Sequence, residues 1–357
     1  MSRNRSGFWG RKNVKGIAIT VVIALSLFVP TPYYLYQPGT AEPLQPKVTV
    51  EKGDKDEQGN LMLLTVLSIK ANNIYYLLYG LVAPHTEMKK EEDVRGDLTD
   101  YEYDKLLKHM MDSSQQNAMV SGMKAAGEKV DIDYKGVFVR SVLDDSKAKG
   151  VLMIGDVITA VDGHPVHRSE ELIDYLNANK KPGDNVTLSY LHDDLQKTAT
   201  IELKELEVGG QKEPGTPKHV GIGVVPENIL DLHLPRKVTI HAEDIGGPSA
   251  GMMFALEIYS QITPGDLTKG YHIAGTGTIN LDAQVGQIGG IRHKVVAAHD
   301  EGAEIFFAPA DVNENDSNAH DAADEVKKLG YTDMKVVPVK TLQDAIDYLH
   351  NLPPKKS

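Results

Sequence analysis

The chain has 357 residues, enough for two or three domains that each bury a core of their own. It contains no cysteine, so disulfide bonds, thiolate metal sites and a cysteine nucleophile are excluded. The formal net charge is −12, although the first 15 positions hold five basic residues and no acidic one. Because an acidic body repels phosphate backbones, this charge argues against a nucleic-acid partner.

The N-terminal basic segment leads into an apolar run, Ile17 to Val29, and then into a tyrosine cluster at 33–36. Basic residues before an apolar run place that end in the cytoplasm, and tyrosines suit the opposite interface. Residues 1–36 are therefore predicted to form a cytoplasmic tip and a single transmembrane helix, with the bulk of the chain extracytoplasmic. A processing site at Gly39-Thr40-Ala41 makes cleavage the alternative, but the aromatic residues favour a retained anchor.

Residues 37–126 are predicted to form an N-terminal extracytoplasmic region without identifiable chemistry. The proline-rich segment Gln37 to Lys47 predicts an extended linker, and the apolar run Leu61 to Leu67 predicts a strand. Tyr101 to Ala126 has a helical pattern. Methionines that recur along it indicate core packing rather than a binding surface.

Residues 127–207 predict short strands around one helix, Ser169 to Asn177. The segments Gly155-Asp156-Val157-Ile158 and Val161-Asp162-Gly163 resemble the centre of a PDZ domain, with a tight turn at Asp162-Gly163. The resemblance implies that an extended peptide adds to a sheet edge. It also implies a carboxylate loop and binding strand made by Gly136, Val137, Phe138 and Val139. A small β-domain that acts only as a spacer is the alternative.

A polar segment, Gly209 to Lys218, predicts a linker, and strands and helices alternate after it. This order predicts an α/β domain at 218–350, and a multidomain α+β protein overall. Ser249 ends a strand pattern and opens a helix pattern. It therefore lies at a helix N-terminus, where free amide groups can stabilise an oxyanion. A serine N-cap in a glycine-rich turn is the alternative.

On the next predicted helix, Lys294 shares an apolar face with Ile291, Val295 and Ala298. Burial disfavours the charged form of a lysine, and a neutral lysine can accept the proton of a serine hydroxyl. A lysine that reaches water or forms a salt bridge is the alternative.

The segments Gly247-Pro248-Ser249-Ala250-Gly251 and Gly289 to Lys294 together resemble the proteolytic domain of Lon-type serine proteases over residues 218–350. The resemblance implies that Ser249 is the nucleophile and Lys294 the general base. The 45 positions between them are the spacing of that family.

The same resemblance implies that Thr276 supports the lysine. His241 and Asp244 lie shortly before the serine and are candidates for orienting the dyad. The order of membrane segment, PDZ-like domain and Lon-type domain resembles a bacterial membrane-anchored protease family that includes pheromone-processing proteases.

This resemblance implies an ATP-independent serine endopeptidase that cuts peptides, or exposed segments of membrane and secreted proteins, outside the cytoplasm. The sequence has no G-x-x-x-x-G-K-[ST] loop and no H-E-x-x-H motif, so neither ATP, a metal nor another cofactor is expected. The competing hypothesis is an inactive PDZ scaffold or adaptor that binds peptides at the membrane. The presence of both Ser249 and Lys294 favours the enzyme.

Overall fold

The computed structural model describes residues 11–54, 58–207, 218–242 and 245–355. The described helices are α1 (Arg11–Ser26), α2 (Ile74–Val82), α3 (Glu91–Arg95), α4 (Asp100–Ala125), α5 (Ser169–Asn179), α6 (Gly251–Ile262), α7 (Ile291–Asp300), α8 (Asn318–Leu329) and α9 (Leu342–His350). The described strands are β1 (Tyr33–Pro43), β2 (Val48–Val50), β3 (Asn60–Lys70), β4 (Glu87–Lys90), β5 (Asp131–Val142), β6 (Val157–Val161), β7 (His164–Pro165), β8 (Asn185–His192), β9 (Leu195–Glu202), β10 (Lys204–Glu207), β11 (Lys218–Gly221), β12 (Val224–His233), β13 (Val238–Ile240), β14 (His272–Gly275), β15 (Thr278–Ile279), β16 (Val285–Gly286), β17 (Ile305–Pro309) and β18 (Lys335–Val339).

A six-stranded mixed sheet unites the two ends of the chain, in the order β18-β17-β14-β3-β1-β4. The strands from β18 to β3 run parallel, whereas β1 is antiparallel to both of its neighbours. Ile273 of β14 pairs with Ile305 on one side and with Leu61 on the other. The N-terminal strands are therefore part of the same folded unit as the C-terminal α/β segment.

The sequence prediction of a linker at Gln37 to Lys47 is wrong, because most of this segment belongs to β1. β1 pairs with β3 up to Pro43, with a shift of register between Pro38 and Ala41. β4 covers the other edge of β1 only from Tyr33 to Tyr36. Proline has no N–H, so it is tolerated where a strand has a free edge or a bulge.

Helix α4 joins the N-terminal strands to the rest of the fold. It begins with a capping box in which Thr99 and Glu102 satisfy each other's backbone amides. Met111 and Met123 lie in the same buried core as Phe254 of α6. The core interpretation of these two methionines is confirmed.

A second sheet, in the order β12-β5-β6-β8-β9 with β7 beside β6, forms the β-rich unit. Helix α5 closes its core through Leu172 and Leu176. Strand β12, which the sequence analysis did not predict, pairs with β5 from Val224 to His233. The predicted linker at 209–218 lies almost entirely outside the described residues, because the structure describes none of 208–217.

Helix α1 has 16 residues, and its apolar side chains are exposed, as at Val22 with 66% of its surface accessible. Near its end, Ser26 Oγ lies 2.8 Å from the hydroxyl oxygen of Tyr75 at the start of α2. In the part of the chain that the structure describes, no helix combines the length and the apolar character needed to cross a bilayer.

Candidate active site

Ser249 lies in a tight turn that leads into α6. Two donors hold the carbonyl oxygen of Pro248: the backbone amide of Gly251 at 3.2 Å and the Ser114 hydroxyl of α4 at 2.9 Å. A Cβ atom at Gly251 would come within 2.6 Å of Ser114 Oγ, so only glycine allows this approach. Helix α4 therefore helps to fix the turn that presents the serine.

Lys294 reaches this turn from α7, where it lies on the apolar face that the sequence predicts. Only 2% of its surface is accessible, and Ile291 and Val295 beside it are also buried. Its Nζ atom lies 2.7 Å from Ser249 Oγ and 2.9 Å from Thr276 Oγ1. Burial lowers the pKa of Lys294 from 10.5 to about 7, because the apolar surroundings disfavour the ammonium form.

Thr276 orients both partners and has no accessible surface. Its hydroxyl donates to the carbonyl oxygen of Ser249 at 3.0 Å, and the amide of Gly277 donates to the same oxygen at 2.9 Å. Because the threonine proton is engaged in this way, Oγ1 is left as an acceptor for Lys294. Thr276 thus fixes the serine backbone and the lysine amine at once.

The amide groups next to the nucleophile are arranged to receive a negative oxygen. Gly251 and Met252 donate their amides to Pro248 and Gly277, and so these two are occupied. Among the described residues, none accepts a hydrogen bond from the amides of Ser249 and Ala250. We therefore place the candidate oxyanion site at these two amides rather than further into the helix.

The sequence also predicted that His241 and Asp244 orient the dyad. His241 follows β13, donates its backbone amide to the Lys47 carbonyl, and is exposed. Asp244 lies outside the described residues. Within the ranges given above, no group of three or more His, Asp or Glu side chains is placed to hold a metal ion.

A groove of about 810 Å³, the dyad groove, opens in front of Ser249 and Lys294. Its walls come mainly from β1, β3 and α4, and they include Thr40, Leu64, Thr65, Val66, Tyr103 and Leu107. No residue pattern in this region indicated chemistry. The apolar run of β3 indicated a strand, but nothing local indicated that this strand lies beside the dyad.

The structure corrects the predicted peptide strand of the β-rich unit. Val137 pairs with Asn228 of β12 on one side and with Ile158 of β6 on the other. Both edges of the segment Gly136 to Val139 are therefore occupied, and an incoming peptide has no backbone groups there to pair with.

The exposed edge next to α5 belongs to β12 instead. Leu143 donates its amide to the Gly223 carbonyl at 2.9 Å, so the next residue, Val224, directs its backbone groups to the open side. Pro226, two residues on, offers a carbonyl but no N–H. At the start of α5, the Ser169 amide donates to Asn228 Oδ1 at 2.7 Å and ties the helix to β12.

Comparison with known families gives one match for the β-rich unit and one for the segment that carries the dyad. Residues 111–203 match the PDZ domain, and residues 223–351 match the Lon protease (S16) C-terminal proteolytic domain. The chain thus combines a PDZ domain with a Lon-type proteolytic domain. The matched proteolytic domain contains Ser249, Thr276 and Lys294, the three residues that the fold brings together.

Curated relatives agree with this assignment. The chain is 31% identical over 168 residues to a Lon protease of Mesomycoplasma hyopneumoniae, covering 47% of this chain and 17% of that protein. It is 36% identical over 117 residues to a Lon protease of Campylobacter concisus, covering 33% of this chain and 13% of that protein. The chain thus spans about a sixth or less of these relatives' length.

Two solved structures have sequences similar to part of this chain. The PDZ domain of an SdrC-like protein from Listeria monocytogenes is 40% identical, with a TM-score of 0.22, and the match covers 26% of this chain and 88% of that one. A protein from Geobacillus thermodenitrificans is 37% identical, with a TM-score of 0.21, and the match covers 26% of this chain and 95% of that one.

Replacing the buried lysine should stabilise the fold in a pH-dependent way. A lysine whose folded pKa of about 7 lies below its ordinary 10.5 destabilises the folded state fully below pH 7, and progressively less as the pH rises. We expect Lys294→Met to raise the free energy of unfolding by about 2–3 kcal/mol more at pH 6 than at pH 9. Chemical denaturation at both pH values measures this difference. The control is Lys197→Met at an exposed site, and an equal gain at both pH values would contradict the buried, neutral lysine.

Proposed function

We propose that this chain is an ATP-independent serine endopeptidase in which Ser249 and Lys294 form the catalytic dyad. One observation carries the proposal: a buried lysine amine, with its pKa lowered to about 7, lies 2.7 Å from a serine hydroxyl. A lysine in this state is half neutral near pH 7, and its lone pair can take a proton. The serine lies at the same time beside amides suited to an oxyanion.

In the proposed reaction, the Ser249 hydroxyl proton moves to neutral Lys294 Nζ as Oγ attacks the carbonyl carbon of the scissile peptide bond. The C=O π electrons move onto oxygen, and the amides of Ser249 and Ala250 stabilise the resulting oxyanion. As the intermediate collapses, the C–N bond breaks and the ammonium of Lys294 protonates the leaving amine. Water then attacks the acyl ester, Lys294 takes the water proton and returns it to Ser249 Oγ, and the acid product leaves.

The dyad predicts a distinct pattern of mutant activities on fluorescein-labelled casein. Ser249→Ala and Lys294→Ala should each reduce turnover by at least about 10³-fold, and the double variant should be hardly worse, because the two residues act as one unit. Lys294→Arg should be equally inactive, since arginine stays protonated. Wild-type activity should rise as the pH passes through about 7, because only neutral lysine is the base.

The matched control is Lys197→Arg, the same exchange at an exposed lysine. Circular dichroism establishes that each variant is folded. Near-normal cleavage by Lys294→Arg would refute the dyad, and no cleavage by the folded wild type would favour the inactive peptide-binding scaffold. The wild-type chain should cleave casein at its full rate without added nucleotide, because the proposed reaction does not use ATP.

We propose that the PDZ unit recruits peptide or protein substrates along the open edge of β12, in the groove beside α5. The outward-facing backbone of Val224 supports this position, and the missing N–H of Pro226 limits the pairing to a short peptide segment. The closed edges of Gly136 to Val139 argue against the strand that the sequence analysis selected.

Peptides selected on the full chain from a library of random C-terminal sequences test this edge. Val224→Pro removes an outward amide donor and should weaken binding about 3- to 10-fold, the effect of one lost hydrogen bond. Pro226→Ala restores a donor and should bind at least as tightly as the wild type. Unchanged affinity in Val224→Pro, measured by fluorescence anisotropy, would assign the peptide to another surface.

We propose that residues 1–36 anchor the chain in the cell membrane, with the N-terminus cytoplasmic and residues 37–357 outside. The basic tip and the apolar run support this orientation. The exposed apolar side chains of α1 from Ile17 onward add further support, since exposed apolar surface is unfavourable in water. Substrates would then be extracytoplasmic peptides or exposed segments of membrane and secreted proteins.

Protease treatment of intact bacterial cells that express the full chain tests this arrangement. The body should be digested from outside, and the chain should sediment with membranes until detergent is added. A cytoplasmic marker protein must survive the same treatment. Resistance of the body in intact cells, or recovery of a soluble chain that begins after Ala41, would contradict retained anchoring.

A further inference from the structure

Helix α2 is an apolar helix that the described part of the protein leaves uncovered. Its nine residues include no charged side chain, and Gly80 is its one buried residue. The exposed fractions of Leu78, Leu81 and Val82 are 54%, 68% and 81%. A Cβ at Gly80 would come within 2.7 Å of Leu35 Cδ2, so the helix presses on β1 with its glycine and turns its large side chains outward.

This surface continues directly into α1. Ser26 at the end of α1 lies 2.8 Å from the hydroxyl oxygen of Tyr75. Leu27, Tyr76 and Tyr79 line a shallow apolar pocket between the two segments. From Ile17 to Leu25, the large apolar side chains of α1 are exposed. A lipid environment would cover these side chains, and the adjoining α2 would lie in the same environment.

The polar surroundings of α2 fit the headgroup region of a bilayer. Three of its nine residues are tyrosines, which prefer the boundary between hydrocarbon and water. Lys89 and Lys90 follow in β4, where Lys90 is exposed and Lys89 lies 5.1 Å from the ring of Tyr36. Lys89 also pairs with Glu87 at 3.4 Å, so the exposed Lys90 is the residue at this level that can attract anionic lipid headgroups.

We propose that α2 lies in the membrane interface where α1 leaves the bilayer, and that it holds the dyad groove at a fixed short height above the lipid. The inference rests on the proposed anchoring by residues 1–36. β3 runs from Lys70, near α2, to Thr65 at the dyad groove, a rise of about 17 Å for a strand of that length. The substrate class that fits this geometry is peptide segments that lie close to the membrane surface.

The absence of native cysteine allows a direct test on the full chain in liposomes. Leu81→Cys carries an environment-sensitive fluorophore, and the vesicles contain phosphatidylglycerol and a lipid with a spin label high on its acyl chain. The matched control is Leu195→Cys on the PDZ hairpin, because Leu195 is 66% exposed and Leu81 is 68% exposed. Val22→Cys in α1 reports the anchor itself.

Quenching at positions 22 and 81, but not at 195, is the expected result. Quenching at 22 alone would overturn the inference and leave anchoring intact. No quenching at either position would overturn both. A blue-shifted but unquenched label at 81 would indicate a protein contact, such as a second copy of the chain, and would also refute the lipid assignment.

A functional arm compares two substrates that share one cleavable sequence, one tethered to the vesicle by a lipid and one soluble. Leu81→Asp with Val82→Asp should lower cleavage of the tethered substrate about fivefold or more, because two charges oppose insertion of the helix. Cleavage of the soluble peptide should not change, and Leu195→Asp should affect neither. An equal loss on both substrates would show that α2 supports the fold of the dyad groove rather than its placement at the membrane.

Discussion

The structure depends on the burial of one amine, that of Lys294. Removing this group from water has a high free-energy cost, and the surrounding fold offsets it by packing α7 into an apolar core. As a result of this burial, a neutral amine is available near pH 7 within hydrogen-bond distance of Ser249. Thr276 is what makes the arrangement specific, because its single hydroxyl proton is committed to the serine backbone.

The same core explains why the proteolytic unit needs the N-terminal part of the chain. β3 forms the wall of the dyad groove and pairs with β14, the strand that leads to Thr276. α4 packs on α6, and its Ser114 holds the carbonyl just before the nucleophile. The matched proteolytic segment, residues 223–351, therefore lacks two strands and a helix on which its own site is built.

The PDZ unit is inserted within this proteolytic fold rather than placed before it. The chain leaves through α4, forms the β-rich unit, and returns through β12, which still pairs with β5. At this junction the ring of His109 stacks on Phe138 at 3.5 Å, and its Nε2 lies 3.3 Å from Glu227. Strand β12, the edge strand of this sheet, thus leads directly toward β13 and the serine turn.

Local patterns in the sequence determined much of this protein. The helical spacing around Lys294, the glycine-rich turn at Ser249 and the Asp162-Gly163 turn each reflect short-range constraints, and each lies where the pattern indicates. Most helices and strands of the C-terminal segment likewise follow from hydrophobic periodicity. Such features depend on neighbours within a few residues, and so a single sequence displays them.

Tertiary structure alone decided which strands became neighbours. Pro38 made β1 look like a linker, and only its place beside a partly uncovered edge explains why a proline is tolerated there. Val137 pairs with Asn228 of β12, about 90 residues later in the chain. Thr65 lines the same groove as Ser249, which lies more than 180 residues later. Strand pairing is a long-range choice made by the whole core, and no local residue pattern encodes it.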